Sequence, residues 1–157
     1  MLFCSPSKGN MELQEVAADI IYYISQDMTR SYKLLVGSDS HVNRHGVCFV
    51  TAIIVHRVGR GARYYYQKTS DRKIKNMKQR IFYEASLSLA LADQLMIILK
   101  QLGQEDMKVE IHMDVGTNGD TKELVKEITG MIIGCGFDAK IKPDACAASQ
   151  VADRYTK

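Results

Sequence analysis

Between Lys33 and Lys68 three strand-type stretches follow one another with only turns between them, and no other feature limits the fold as sharply. Lys33 to Asp39 is short and apolar, Val47 to Val58 is longer and rich in β-branched residues, and Arg63 to Lys68 carries three tyrosines on a wetter stretch. The turns run through Asn43-Arg44-His45-Gly46 and Gly59-Arg60-Gly61, with the Asn and Gly that tight hairpins need. The pattern predicts an antiparallel meander.

Beyond the meander the period changes. Residues 74 to 102 carry apolar residues at helical spacing and stop at Gly103, a natural residue to follow a helix end. Val109 to Asp114 is a fourth strand, Asp120 with Glu123 forms a capping-box pattern opening a helix to about Ile133, and Phe137 to Ile141 is a fifth strand. Pro143 and Asp144 open a last helix to Lys157, with Asp144 as its N-cap. Ahead of the meander, Leu13, Val16, Ile20, Ile24 and Met28 mark an extra helix over residues 12 to 28. The order predicts an α/β fold: a mixed five-stranded sheet, made of a three-strand meander plus two βα crossovers, with helices on both faces. One domain spans residues 1–157, with 1–32 as an N-terminal extension and 33–157 as the core.

Composition agrees with a packed domain. The 157 residues are 46% hydrophobic and 25% charged with two prolines, which excludes disorder and fibrous repeats. The longest unbroken apolar runs fall well short of the ~20 residues of a membrane span, and Met1-Leu2-Phe3-Cys4-Ser5-Pro6 has no export-type apolar core. A cytoplasmic protein with no membrane partner is expected. Cys4, Cys48, Cys135 and Cys146 show no CxxC pairing, so reduced, mostly buried thiols are expected.

Asp39 and Asp114 each close a short apolar strand. Taken singly, either reads as a turn former. If their strands are neighbours, the two carboxylates lie together where the strand order reverses, the usual ligand position in such sheets. Two such charges repel, and a divalent cation with oxygen ligands, Mg²⁺ or Mn²⁺, removes the conflict. On the long helix, one arc collects Ile81, Ala85, Ser88, Leu91, Ala92, Leu95 and Leu99, and Glu84 is the only charged residue on it. A buried carboxylate needs a cationic partner or a metal. Asp153 lies on the last helix and by itself reads as solvated.

Charge is segregated. The net charge is +3, but residues 57 to 80 hold nine basic residues and one acid, a net +8, leaving −5 elsewhere. Such a segment suits a polyanion as well as a solvated face. Arg63, Lys68, Arg72, Lys73, Lys78 and Arg80 are its candidate nucleic-acid contacts. Tyr64, Tyr65 and Tyr66 alternate across the same strand, so at least one faces away from the others, and packing competes with base stacking. Thr117-Asn118-Gly119 reads as a plain βα turn or a phosphate loop. Asp39 and His41 share the Asp-x-His spacing of metallophosphoesterases, without the later ligand clusters. His41 is an auxiliary proton-transfer candidate, and His112, on the same strand face as Asp114, borders the site or sits in the core.

Asp on the first core strand, Glu on the helix after the third, Asp on the fourth and Asp on the final helix resembles the ribonuclease H-like superfamily. More closely, Val36-Gly37-Ser38-Asp39-Ser40-His41, Ile111-His112-Met113-Asp114-Val115-Gly116 and Val151-Ala152-Asp153-Arg154 resemble the bacterial YkuK family. The resemblance implies a two-metal nucleic-acid hydrolase in which Asp39, Glu84, Asp114 and Asp153 hold the ions. Rival readings are a nucleic-acid-binding module without turnover, and an oligomeric scaffold that self-associates through the N-terminal helix.

Overall fold

The computed structural model of the chain describes residues 2–74, 76–115 and 119–142. The last helix expected over 144–157, with Asp153 and Cys146, lies outside them, as do Lys75, Thr117 and Asn118. A small hairpin comes first, β1 (Phe3–Ser5) and β2 (Gly9–Met11), followed by α1 (Leu13–Ser25). The meander is β3 (Tyr32–Asn43), β4 (Gly46–Arg57) and β5 (Ala62–Asp71). Then come α2 (Met77–Gln101), β6 (Val109–Met113), a 3-10 turn Gly119–Thr121, α3 (Lys122–Gly134) and β7 (Asp138–Lys140).

The sheet has seven strands in the order β2-β1-β5-β4-β3-β6-β7. The expected five strands run from β5 to β7, as a meander with two parallel additions, and the extra hairpin extends the sheet beyond β5. The count differs because residues 2–11, read as a featureless extension, fold into a hairpin that pairs β1 with β5 at Cys4 and Tyr66. Three-residue strands carry too few residues to show a period.

Several boundaries also differ. β3 does not end at Asp39 but runs on to Asn43, because its ladder with β4 continues unbroken from Tyr32↔Arg57 to Asn43↔Gly46. α2 starts three residues later than expected, where Asn76 Oδ1 accepts the Gln79 N–H at 2.9 Å. It ends as foreseen, in a Schellman motif with Gly103 at φ +89° and Gln104 N–H donating to Leu99 O. α3 is preceded by the 3-10 turn, so Thr121 rather than Asp120 holds its cap position.

Strand alternation divides the sheet faces. Leu34 and Val36 of β3, Ile53 and Val55 of β4, Tyr65 of β5, and Val109, Ile111 and Met113 of β6 join one core with α1, α2 and α3. All three described helices therefore lie on this face. On the other, Leu35 and Ile54 form a small cluster with Tyr64. By length and composition α2 would suffice to cross a membrane, yet Ile81, Ala85, Leu91, Ala92, Leu95 and Leu99 bury one side of it here. α1, the helix of the scaffold reading, buries Val16, Ala17, Ile20 and Tyr23 in the chain's own core. The thiols are less buried than expected: Cys4 and Cys48 are half-buried and Cys135 is exposed, all three unbridged.

One polar knot ties the hairpin and α1 to the sheet. Asp19 of α1 is 4% exposed and accepts from Arg63 at 3.2 Å, from Lys8 at 3.2 Å and from the Tyr65 hydroxyl. Burial alone would raise its pKa, but Tyr65, Lys8 and Arg63 outweigh that and hold the carboxyl below the usual range. Replacing Asp19 with Asn removes the charge that faces two cations and leaves one acceptor oxygen for three donors. Asp19→Asn should cost about 2–3 kcal/mol and lower the melting temperature by roughly 5–10 °C, read by circular dichroism. An unchanged melt would make the knot incidental.

Candidate functional site

β3 is the pivot of the sheet, antiparallel to β4 on one side and parallel to β6 on the other. Its ladder with β6 ends at Ser38↔Met113. The next residues are Asp39, still inside β3, and Asp114, just past β6, which thus follow one another's register where the parallel pairing of the two strands ends.

The serines flanking Asp39 do a different task. Ser38 Oγ lies 3.0 Å from Thr51 Oγ1 and 2.8 Å from Ser88 Oγ, a hydroxyl chain from β4 through β3 to α2. Ser40 Oγ donates to Glu84 Oε2 at 2.6 Å. Both serines therefore face α2, and alternation turns Asp39 to the opposite face of the sheet. The small residues Ala85 and Ser88 are what let α2 come this close. Ser38 and Ser40 were not singled out as site residues, although small hydroxyls at alternate strand positions opposite a small-residue helix stripe are a readable signal.

Glu84 is 7% exposed. Burial pushes its pKa up to about 7; the Ser40 hydrogen bond opposes that, the charges of Asp39 and Asp114 add to it, and Arg80 subtracts. The three carboxylates thus share one electrostatic neighbourhood. Arg80 reaches Glu84 through Ser40, donating from Nε to Ser40 Oγ at 3.1 Å and from Nη2 to Ser40 O at 3.0 Å. Asp114 is half-buried with Lys142 Nζ 3.1 Å away. Among the described residues no three His, Cys, Asp or Glu side chains are grouped to hold a metal. Asp153 lies outside those residues.

The auxiliary histidines separate. His41 is exposed, two residues past Asp39 on the same strand face. His112 is 4% exposed, with Nε2 3.4 Å from Glu110 Oε2, and burial holds its pKa below the usual value despite that carboxylate.

The basic segment separates too. Arg63 is bound to Asp19 and lies 4.8 Å over the Tyr23 ring, with Arg57 over the same ring at 4.1 Å. Both face α1. Tyr65 is buried on that side while Tyr64 packs on the other. Lys68 is exposed in the same cross-strand row as Val50 and Asp39. Lys73 is exposed, its N–H donating to Asp71 Oδ1 at 2.7 Å. Lys78 lines a groove with Glu123 and Glu127 of α3, whereas Arg72 and Arg80 line one cleft together with Arg44.

The raised Glu84 pKa has a signed consequence. The folded chain holds a proton that the unfolded chain releases near 4.5, so this contribution to stability is complete below about 4.5 and lost as pH rises through about 7. The depressed His112 acts oppositely, adding stability as pH rises through its unfolded value. Comparison with Glu84→Gln isolates the carboxyl. In chelator at pH 8 the Gln variant should be more stable than wild type by at most ~3 kcal/mol, the gap closing by pH 5. Parallel stability–pH curves from thermal melts would show that Glu84 ionises normally.

Comparison with known proteins agrees with this geometry. The Ribonuclease H-like family matches residues 15–157. A Bacillus subtilis (strain 168) protein described as "Uncharacterized protein YkuK" is 35% identical over an alignment of 167 positions, covering 99% of this chain and 97% of that protein. No solved structure matches the chain significantly. With the β5-β4-β3-β6-β7 order in its sheet and this match over most of its length, the chain belongs to the Ribonuclease H-like family.

Proposed function

We propose that the chain is a divalent-metal-dependent nuclease that hydrolyses nucleic-acid phosphodiester bonds by a two-metal mechanism in the cytoplasm, with Asp39, Glu84, Asp114 and Asp153 as its metal ligands. One observation carries this reading. Asp39 and Asp114 follow in register on adjacent parallel strands, and their charge reaches Glu84. That donor set suits Mg²⁺ or Mn²⁺, because carboxylate oxygens are hard ligands and a cation offsets both the burial of the Glu84 carboxyl, the main cause of its raised pKa, and the repulsion from Asp39 and Asp114 that adds to it. When bound, such ions activate a water and stabilise the departing oxygen of a phosphodiester.

The chain's own residues do the rest. Asp39 sits within the unbroken β3–β4 ladder, so it needs little rearrangement to bind, and Asp114 directly follows β6. Ser40 holds the Glu84 carboxyl in one orientation, and Arg80 fixes Ser40 from behind. His41, exposed beyond Asp39, is available to carry a proton.

A binding module without turnover is the second reading. It is favoured by the Ser40–Glu84 hydrogen bond and by the absence, among the described residues, of three grouped metal donors. One assay separates the two. Purified protein is incubated with labelled single-stranded, duplex and hybrid DNA and RNA, with and without millimolar Mn²⁺. Mn²⁺-dependent cleavage is expected on at least one substrate, and Asp114→Asn should lower it roughly 100-fold or more while still binding that substrate. Binding without Mn²⁺-dependent cleavage in the wild type would favour the module.

A further inference from the structure

Arg44, in the β3–β4 turn, was not among the candidate contacts, yet the fold brings it beside Arg72, just past β5, and Arg80, in the first turn of α2. The three line one cleft of about 500 Å³. Among the described residues no Asp or Glu lines it; its remaining wall includes Val42, Val47 and Ile74. The arrangement is built. Gly46 has φ +124°, and a Cβ there would lie 2.6 Å from Asp71 O, so the turn sits directly on the backbone leading into Arg72. The turn is braced by His45 N–H donating to Asn43 Oδ1 at 2.8 Å, the backbone beyond Asp71 by Lys73 N–H donating to Asp71 Oδ1, and Arg80 by Ser40. Arg44 and Arg72 bring positive charge to this cleft beside Arg80, and an anion is the natural complement of such a lining.

We infer that this cleft is a phosphate-docking site for the backbone of a nucleic-acid strand, with Arg44, Arg72 and Arg80 as its contacts. The volume is that of a small-ligand pocket and takes about one nucleotide unit, its phosphate at the guanidinium groups and its apolar surface toward Val42 and Ile74. Arg80 links the cleft to Glu84 through Ser40, so a strand seated here continues toward the acidic residues. This rests on the nucleic-acid half of the proposed function and is independent of metal and turnover.

The test is therefore run in chelator, where no metal-dependent cleavage occurs. Fluorescence anisotropy follows a labelled single-stranded oligonucleotide across salt concentrations. Arg44→Ala with Arg72→Ala should weaken binding roughly 10–100-fold at 50 mM salt and flatten the log–log salt slope by about 1.4. Arg44→Lys with Arg72→Lys should keep the slope. Arg60→Ala with Lys100→Ala removes the same charge from exposed positions outside the cleft and should change neither quantity. Arg44→Glu, a single change on an exposed turn, repeats the test should the double variant fail to fold. Unchanged affinity and slope in the cleft variants, or an equal loss in the charge-matched control, overturns the site. A nucleoside monophosphate that displaces the oligonucleotide at matching concentration overturns the strand reading in favour of a free nucleotide. Cleft-dependent binding with no nuclease activity leaves this inference standing and removes the metal-dependent reading.

Discussion

The double pairing of β3 is the constraint on which the rest depends. A strand hydrogen-bonded on both sides has no freedom to slip, since a one-residue shift would turn every side chain to the wrong face. Its antiparallel register with β4 sets Ser38 against Thr51, and its parallel register with β6 sets Ser38 against Met113. Those two ladders together decide that Ser38 and Ser40 receive α2 and that Asp39 does not. They also bring Asp114 alongside Asp39, from a position 75 residues away in sequence. The acidic neighbourhood is thus a product of sheet register rather than of any local motif.

Much of this was legible before any coordinates, where period and length were strong. The meander, the α2 stripe with its single charged member at Glu84 and the Gly103 stop follow from residues that repeat or punctuate over many positions, whereas the β3–β6 adjacency was a condition that the parallel ladder meets. The failures share a cause. β1 and β2 are too short to carry a period, and β3 continues through His41 and Val42, which look like a loop because their side chains are exposed. The partner of Glu84 was the least legible point. Burial demanded an acceptor's complement, and a metal or an arginine were both open; the structure supplies a serine hydroxyl with an arginine behind it.

The basic segment shows how composition can mislead when read as one object. Strand alternation and the turn at its end divide those cations among separate tasks. Arg57 and Arg63 stack on Tyr23 beneath α1, where an always-charged, flat guanidinium can be half-buried against a ring. Arg72 and Arg80 open on the other end of the sheet and gain Arg44 from outside the segment. A window of linear sequence measures charge density, but only the fold says which charges meet.

The N-terminal hairpin also changes what the sheet presents to other molecules. Without it the outermost strand on that side would be β5, ten residues long and carrying Tyr64 and Tyr66, a flat row of unpaired amides open to edge-to-edge pairing between copies. With it, the exposed margin is β2, three residues long, and β7 at the far margin is equally short. Lys8 reaches from the hairpin turn to Asp19, so this guard is fastened to the helix layer and not merely laid against the sheet. By pairing with part of the β5 edge, the first dozen residues shorten the row of amides left open to edge-to-edge pairing, a safeguard that the acidic site itself does not require.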